Sequence, residues 1–355
     1  MVQVAHAAGV APSTVSNVYN RPHVVSPVLH ERVLRAAAEL GYTGADPTGR
    51  NLRTGRTNAI GVVMRERLAY SFEDPAAVQL MQGFSDAADP QQLALVIVPA
   101  YPETGTSAGP AVAHVAVDGL IVYSLVGDDP LLDAVRRRNL PTVVVDSPTS
   151  EDAAHAAEFD FVGINEQQPA QAAMDHLLTL GHRRIAILST RLSARDHPGP
   201  ADLHHQTAAT ASVPKGRLRG AAAAVAAAGL EWADIPIVQC RISSVEDGRS
   251  GAHALLDTAP QTTALFAFSD PLALGARLAA HERGLTVPSD LSIIGFDDSA
   301  PAHQGLTTIH QPLRDKGRAA TERLLTALTG NRPTPPLLLP THLVIRTSTS
   351  PPTRQ

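Results

Sequence analysis

Aromatic residues are scarce in this chain, with one Trp, five Tyr and seven Phe among 355 residues. There is a single cysteine, Cys240, which rules out an internal disulfide framework and suits a reducing cytosol. No basic n-region with an apolar h-region opens the chain, and no apolar run approaches membrane-spanning length. Secretion and membrane insertion are therefore set aside, and a cytoplasmic protein is expected. Catalytic signatures are missing too: there is no Walker A sequence, Gly-x-Ser-x-Gly elbow, Cys-x-x-Cys or His-Glu-x-x-His. The remainder is ordinary globular material, 44% hydrophobic and 18% charged, and rich in Ala, Gly and Pro. Its length allows about two or three domains with ample core.

Net charge is −5, which alone argues against nucleic acid, but the charge is unevenly placed. Residues 1–60 hold six Arg against Glu31, Glu39 and Asp46, whereas the rest carries 23 basic and 31 acidic residues. A small basic head on an acidic body fits localised phosphate contact. A plain basic surface tail would carry the same charge but not the helix-core patterning found there.

In that head, Val4, Ala5 and Ala8 share one face of a short helix over residues 2–8, and Gly9 ends it. Pro12 opens a second helix at a position where a missing N–H costs nothing. Val15, Val18 and Tyr19 point inward at i, i+3, i+4, which leaves Ser13, Thr14, Ser16, Asn17 and Asn20 facing out. Small hydrogen-bonding residues on the outer face of a short helix suit phosphate and base-edge contact, and would serve equally as a solvated surface. Ser26-Pro27 starts a third helix, with Leu29, Val33, Ala36 or Ala37, and Leu40 on one stripe and Gly41 after it. Residues 47–53 are basic and Gly-bearing, and contain Leu52, which reads as a docking residue or as a minor-groove wedge.

The head resembles the lactose-repressor (LacI/GalR) family of bacterial transcription regulators. The matching residues are Val4-Ala5-x-x-Ala8-Gly9-Val10, Thr14-Val15-Ser16-x-Val18-x-Asn20, Val25-Ser26-Pro27, Arg32-Val33, Leu40-Gly41-Tyr42 and Arg50-x-Leu52-Arg53-Thr54-Gly55-Arg56-Thr57-x-x-Ile60-Gly61. The resemblance implies that the second helix lies in the major groove. Pro12, Ser13 and Asn17 then fall on base-reading positions, and Thr14, Ser16 and Asn20 on phosphate or register positions. Arg50 belongs to the hinge, and Leu52 falls on the residue wedged into the minor groove. Three departures stand out. Asn17 replaces a common Arg and favours adenine over guanine. Pro12 offers only apolar contact. The chain begins at Met1, inside helix one and without the customary N-cap Thr, which reads as a misassigned start codon or as a short helix one with reduced DNA affinity.

Beyond the linker, apolar runs alternate with helical stretches. Strands are expected at 59–64, 93–98, 119–123, 142–146, 161–164, 184–188, 235–240, 264–268 and 291–296, and helices at 77–88, 131–138, 168–180, 218–228 and 272–283. Alternating βα units imply parallel sheets with helices on both faces. The resemblance extends to this part through Leu180-Gly181-His182-Arg183-Arg184-Ile185-Ala186, Ser269-Asp270-x-x-Ala273-Leu274-Gly275-Ala276, 288–298 and Leu306-Thr307-Thr308. It implies an α-helical helix-turn-helix domain joined to a two-lobed, periplasmic-binding-protein-like α/β domain. The expected division is a DNA-binding domain over 1–44, a hinge over 45–57 and an effector-binding and dimerisation domain over 58–350. Lobe 1 takes 58–162 and 311–331, lobe 2 takes 163–310 and 332–350, and 351–355 is a loose terminus. Crossings fall near 162–165, 310–312 and 331–335.

Ligands of parallel sheets bind beyond the strand carboxyl ends. By family position Arg217 and Asp297 are the foremost effector contacts, a fork of donors and a hydroxyl acceptor suited to a sugar-like or other polar metabolite. Ser269, Phe72, Asp74, Asn165 and Gln168 fall on or near the cleft. Ser269 stands where Asn is common, Phe72 could equally be core, and Asp297-Asp298 could be a strand-end cap. Residues 189–216 read as a long polar flap or an unstructured loop, and the His204-His205 pair lacks companions at metal-ligand spacing. The expectation is a homodimeric repressor of near-palindromic operator DNA, controlled by a small effector, with no cofactor and no metal. The competing readings are a cytosolic small-molecule-binding protein and a sugar-modifying enzyme.

Overall fold

Gly9, at φ +60, turns the chain between the first two of three short helices: α1 (Val2–Ala7), α2 (Pro12–Asn20) and α3 (Pro27–Glu39). Their inward faces bury Val4, Ala5, Ala8, Val15, Val18, Val33, Ala36 and Ala37 in one small core, with Tyr19 and Tyr42 packed edge-on at its margin. Ser26 caps α3 by accepting from the Leu29 amide at 3.4 Å. Leu40, expected on the inward stripe, is 48% exposed, because the helix has already ended and Leu40 sits at its cap.

The computed structural model describes residues 1–43, 55–100, 109–125, 129–149, 158–193, 198–331 and 335–353. Two units emerge, 1–57 and 58–355. The expected roles of Arg50 and Leu52 lie outside the described residues.

The larger unit runs β1 (Ala59–Met64), α4 (Leu68–Glu73), α5 (Pro75–Ala88), β2 (Ala94–Pro99), α6 (Gly109–His114), β3 (Gly119–Tyr123), α7 (Leu131–Arg137), β4 (Thr142–Val145) and β5 (Asp160–Gly163). It continues through α8 (Gln167–Thr179), β6 (Ile185–Ser189), β7 (Gly199–Pro200), α9 (Leu203–Thr207), α10 (Ser212–Ala227), β8 (Ile237–Gln239), α11 (Val245–Thr258) and β9 (Ala264–Ala267). The last elements are α12 (Asp270–Glu282), β10 (Ser292–Ile294), β11 (Thr308–His310), α13 (Leu313–Leu328), β12 (Leu337–Leu338) and β13 (His342–Val344). A six-stranded parallel sheet, ordered β12-β5-β4-β3-β1-β2, forms the first lobe, and a five-stranded sheet, β10-β9-β6-β8-β7, forms the second. Each sheet has a core on both faces, which is why its central strands read as unbroken apolar runs.

Helix pairs on these sheets approach closely at glycines. A Cβ at Gly83 of α5 would come within 2.0 Å of the Arg314 carbonyl of α13, and one at Gly317 within 2.3 Å of the Leu80 carbonyl. Gly248 and Gly275 do the same for α11 and α12.

Three expectations are corrected. Leu337–Leu338 pair in parallel with Val162–Gly163, so the last crossing follows Leu338 instead of falling at 331–335. The expected flap over 189–216 is largely folded: β7 pairs with β8, Ala201 and Ala209 join the second core, and α10 already starts at Ser212. The Ser/Thr/Pro end is docked as far as Thr353. The Ile293 amide donates to the Ser348 carbonyl at 2.8 Å, and the buried His182 ring reaches Thr263, Ser292 and the Ser350 carbonyl.

Candidate functional site

The carboxyl ends of both parallel sheets open onto one cavity of about 190 Å³. From the first lobe, β1 delivers Arg65 and Glu66, β3 delivers Tyr123 and Ser124, and β4 delivers Asp146 and Ser147. From the second, β6 delivers Arg191, β9 delivers Phe268 and Ser269, and the segment after β10 delivers Asp297. Ser124, Asp146 and Asp297 hold positive φ of 54°, 65° and 116°. For L residues that is strained backbone, tolerated where it aims a side chain into a site.

Arg217 is the hub. Its Nε donates to Glu166 at 2.7 Å, one terminal nitrogen donates to the Phe268 carbonyl, and the other lies 4.0 Å from Asp297. Its guanidinium carbon sits 3.5 Å over the Phe296 ring. Gln311, on the second crossing, donates to Asp297 through its amide and accepts from Lys316 at 2.7 Å. Lys316 also donates to Asp146 at 2.6 Å. A buried polar chain thus runs from Asp146 and Lys316 in the first lobe, through the Gln311 crossing, to Asp297, Arg217 and Glu166. Burial raises the Asp297 carboxyl well above its usual value, against the pull of Arg217, and burial also raises the Glu166 carboxyl from its own, against the same guanidinium. Replacing Arg217 by Ala would leave both carboxylates without this counter-charge, so Arg217 holds the fold as well as facing the cavity.

The lobes also touch across the cleft mouth. The Tyr70 phenol donates to the Ser243 carbonyl at 3.2 Å, Arg191 pairs with Glu66, and the hydroxyls of Ser147 and Ser212 meet at 3.0 Å.

Of the seven expected effector residues, Arg217, Asp297, Ser269 and Asp74 line this cavity. Ser269 caps α12 and accepts from the Ser243 hydroxyl at 2.6 Å. Asp74 caps α5 through the Ala76 amide at 3.1 Å, and burial lifts its carboxyl to about 6, opposed by the amides of Ala76 and Ala77. Phe72 does not belong: it is 57% exposed, because Tyr70 and Asp74 share one face of the chain at i, i+4 and Phe72 takes the other. Asn165 accepts from the Gln167 and Gln168 amides, both at 3.0 Å, at the start of α8. With Gln168 it borders a separate hollow beside β13. Asp298 is turned away to Arg346 and His310. Asp270 is fully buried, accepting from Thr308 and Ser299.

The residues missed were Glu166, Asp146, Tyr70, Tyr123 and Gln311. Asp146 and Tyr123 end expected strands and were findable from that alone. Glu166 gains its role from Arg217, far along the chain, and Gln311 from the way the crossing sets it between Asp297 and Lys316.

In the head, Pro12, Ser13 and Asn20 are exposed, while Thr14, Ser16 and Asn17 are half-buried on α2. The Asn20 side chain donates back to the Ser16 carbonyl at 2.9 Å. Among the described residues no His, Cys, Asp and Glu group could hold a metal, and no helix is long and apolar enough to cross a membrane.

Comparison with known proteins decides the family. Residues 1–44 match the model for bacterial regulatory proteins of the lacI family, and residues 174–349 match that for the periplasmic binding protein-like domain. The chain is 38% identical over 329 residues to the HTH-type transcriptional regulator IpsA of Corynebacterium glutamicum, covering 92% of this chain and 90% of that one. It belongs to the lacI family of bacterial transcriptional regulators. The HTH-type transcriptional regulator CelR of Thermobifida fusca is 32% identical over 357 residues, covering 97% and 96%. Among solved structures, the lac repressor dimer bound to operator and the anti-inducer ONPF shares 26% identity at TM-score 0.78, over 98% of both chains. A CelR–cellobiose complex shares 29% at TM-score 0.70, again over 98% of both. The family is one of regulators and not of enzymes, which removes the sugar-modifying alternative.

Proposed function

We propose that this chain is a homodimeric, sequence-specific repressor whose hold on a near-palindromic operator is set by a small polar ligand in the interlobe cavity. The observation that carries the reading is a cavity walled by both lobes and lined by charged and hydroxyl side chains, on a chain whose first 44 residues match the lacI-family model. Residues 1–44 read DNA, 45–57 link, and 58–350 bind ligand and pair with a second copy. Pro12, Ser13 and Asn17 contact base edges, and Thr14, Ser16 and Asn20 contact phosphates or fix the register. Arg50 and Leu52 act in the linker at the operator centre. The two-fold symmetry of a dimer would be mirrored in the site.

The solved relatives support a ligand of sugar-like chemistry, since one is a cellobiose complex. A ligand that touches Asp74 in one lobe and Asp297 and Arg217 in the other has unequal contact with different lobe arrangements. That inequality is what coupling to DNA requires. Both release and tightening on DNA are compatible with this geometry.

Selection from a random-sequence duplex pool tests the DNA half. The expected product is a near-palindrome with an A·T pair at the position Asn17 reads. Asn17→Ala should lower discrimination there by about 1–3 kcal/mol while leaving the rest of the site unchanged. Enrichment of no site, or of one without two-fold symmetry, contradicts the reading.

A further inference from the structure

A single proton has two acceptors at the cleft mouth. The Tyr70 phenol, on α4 of the first lobe, donates to the Ser243 carbonyl of the second at 3.2 Å. The same phenol is within hydrogen-bonding reach of the Asp74 carboxyl, four residues on. A phenol has one proton to give, and both a carbonyl and an ionised carboxylate only accept. With Asp74 ionised, the bond to the carboxylate is charge-assisted and the stronger of the two. The phenol then turns to Asp74, and the Ser243 carbonyl loses its donor. With Asp74 protonated the conflict disappears. Its Oδ1 keeps the Ala76 amide at 3.1 Å, while Oδ2 donates to the phenol oxygen and the phenol donates to Ser243. The receiving end is anchored in the second lobe, since the Ser243 hydroxyl donates at 2.6 Å to Ser269, the cap of α12.

The surroundings of Asp74 favour that proton. Burial is the largest influence and lifts the carboxyl to about 6. The Ala76 and Ala77 amides of α5 and the Tyr70 phenol of α4 pull it down, and the charge of Glu66, beyond β1 and paired with Arg191, pushes it up. Asp74 is felt in turn by Tyr123 at the end of β3 and by Asp297 after β10, which has Arg217 4.0 Å away. Because the phenol's bond to the carboxylate lowers its proton affinity, committing the phenol to Ser243 favours a proton on Asp74. By reciprocity a proton on Asp74 favours the Ser243 contact. The other contacts at the mouth, Arg191 with Glu66 and Ser147 with Ser212, rest on other groups.

We propose that Tyr70, Asp74 and Ser243 form a proton-operated latch between the lobes, closed when Asp74 is protonated and released when it is ionised. Mild acid then favours the lobe arrangement in which Tyr70 meets Ser243. The latch needs no ligand in the cleft and stands apart from the ligand-binding reading above.

Pulsed electron–electron resonance on the full chain tests it, with spin labels at two exposed helix positions, Arg137→Cys on α7 of the first lobe and Ala227→Cys on α10 of the second. Cys240 is buried and its thiol is pushed up to about 12, so it stays unlabelled. From about pH 8 to about pH 5 the ratio of latched to released interlobe distances should rise about fivefold. Tyr70→Phe keeps the ring and loses the proton, so it should hold the alkaline distribution at both pH values. Asp74→Asn keeps an oxygen for the Ala76 amide and offers its Nδ2 to the phenol, so it should hold the acid distribution at both. Wild-type distributions that match at the two pH values would overturn the latch. A pH response that persists in Tyr70→Phe would do so too, and would belong to another group such as the buried Asp270, itself raised to about 6 by burial. An Asp74→Asn protein fixed in the alkaline distribution would equally contradict it.

Discussion

Asp74 faces the cavity at the expense of the fold. Its carboxyl is lifted from 3.8 to about 6, chiefly by burial. A raised carboxyl means that the native state holds a proton more tightly than the unfolded chain. The associated stability is fully present below about pH 4, is lost as pH rises to about 6, and stays lost above that. Asn keeps the cap to the Ala76 amide and removes the charge. Asp74→Asn should therefore gain about 2–3 kcal/mol near neutral pH, with the gain fading below pH 6 and absent by about pH 4. Urea unfolding across that range measures it, and a pH-independent gain would contradict the assigned cause. A residue that costs stability and faces a cavity is what a binding function retains. Arg217 is different in kind. Its partners lie at the start of α8, just after β9 and after β10, so it is part of the packing as well as of the cavity wall.

At the scale of elements, the glycine-mediated helix pairs set how close α5 and α13 lie on the first sheet. Gly83→Ala would drive a methyl into the Arg314 carbonyl, and neither backbone can yield without moving its helix. The expected cost is at least about 1–3 kcal/mol, read as a lowered urea midpoint, whereas a substitution at the exposed neighbour Gln82 should cost little. Elements whose pattern is local were legible from the residues. The runs Ala59–Met64 and Gly119–Tyr123 form strands at those bounds, and Ser26-Pro27 starts a helix. What was not legible depended on distant partners. Leu337–Leu338 is too short to read as a strand and becomes one by adding to β5. Residues 189–216 looked polar and loose because their order comes from β8 and from Trp232, which donates to Gln206 at 2.7 Å. Within the site, Arg217 and Asp297 came from family position. Phe72 was misplaced because a resemblance gives a neighbourhood and not a helix face.

For the molecule as a whole, the larger unit has the physical parts a ligand switch needs. The lobes are joined by buried polar links along the crossings and by three contacts at the cleft mouth, so each lobe arrangement has its own set of partners. A ligand held by Asp74 and Asp297 together adds to one arrangement and not another, and reciprocity requires DNA to change ligand affinity by the same factor. The most direct test screens small polar compounds for one that binds the full chain, then titrates it into the complex of the full chain with its selected palindrome, followed by fluorescence anisotropy. DNA affinity should shift by about fivefold or more in wild type, in either direction, with the shift much reduced in Asp74→Asn. A cleft-bound ligand that leaves DNA affinity unchanged at saturation would contradict the account.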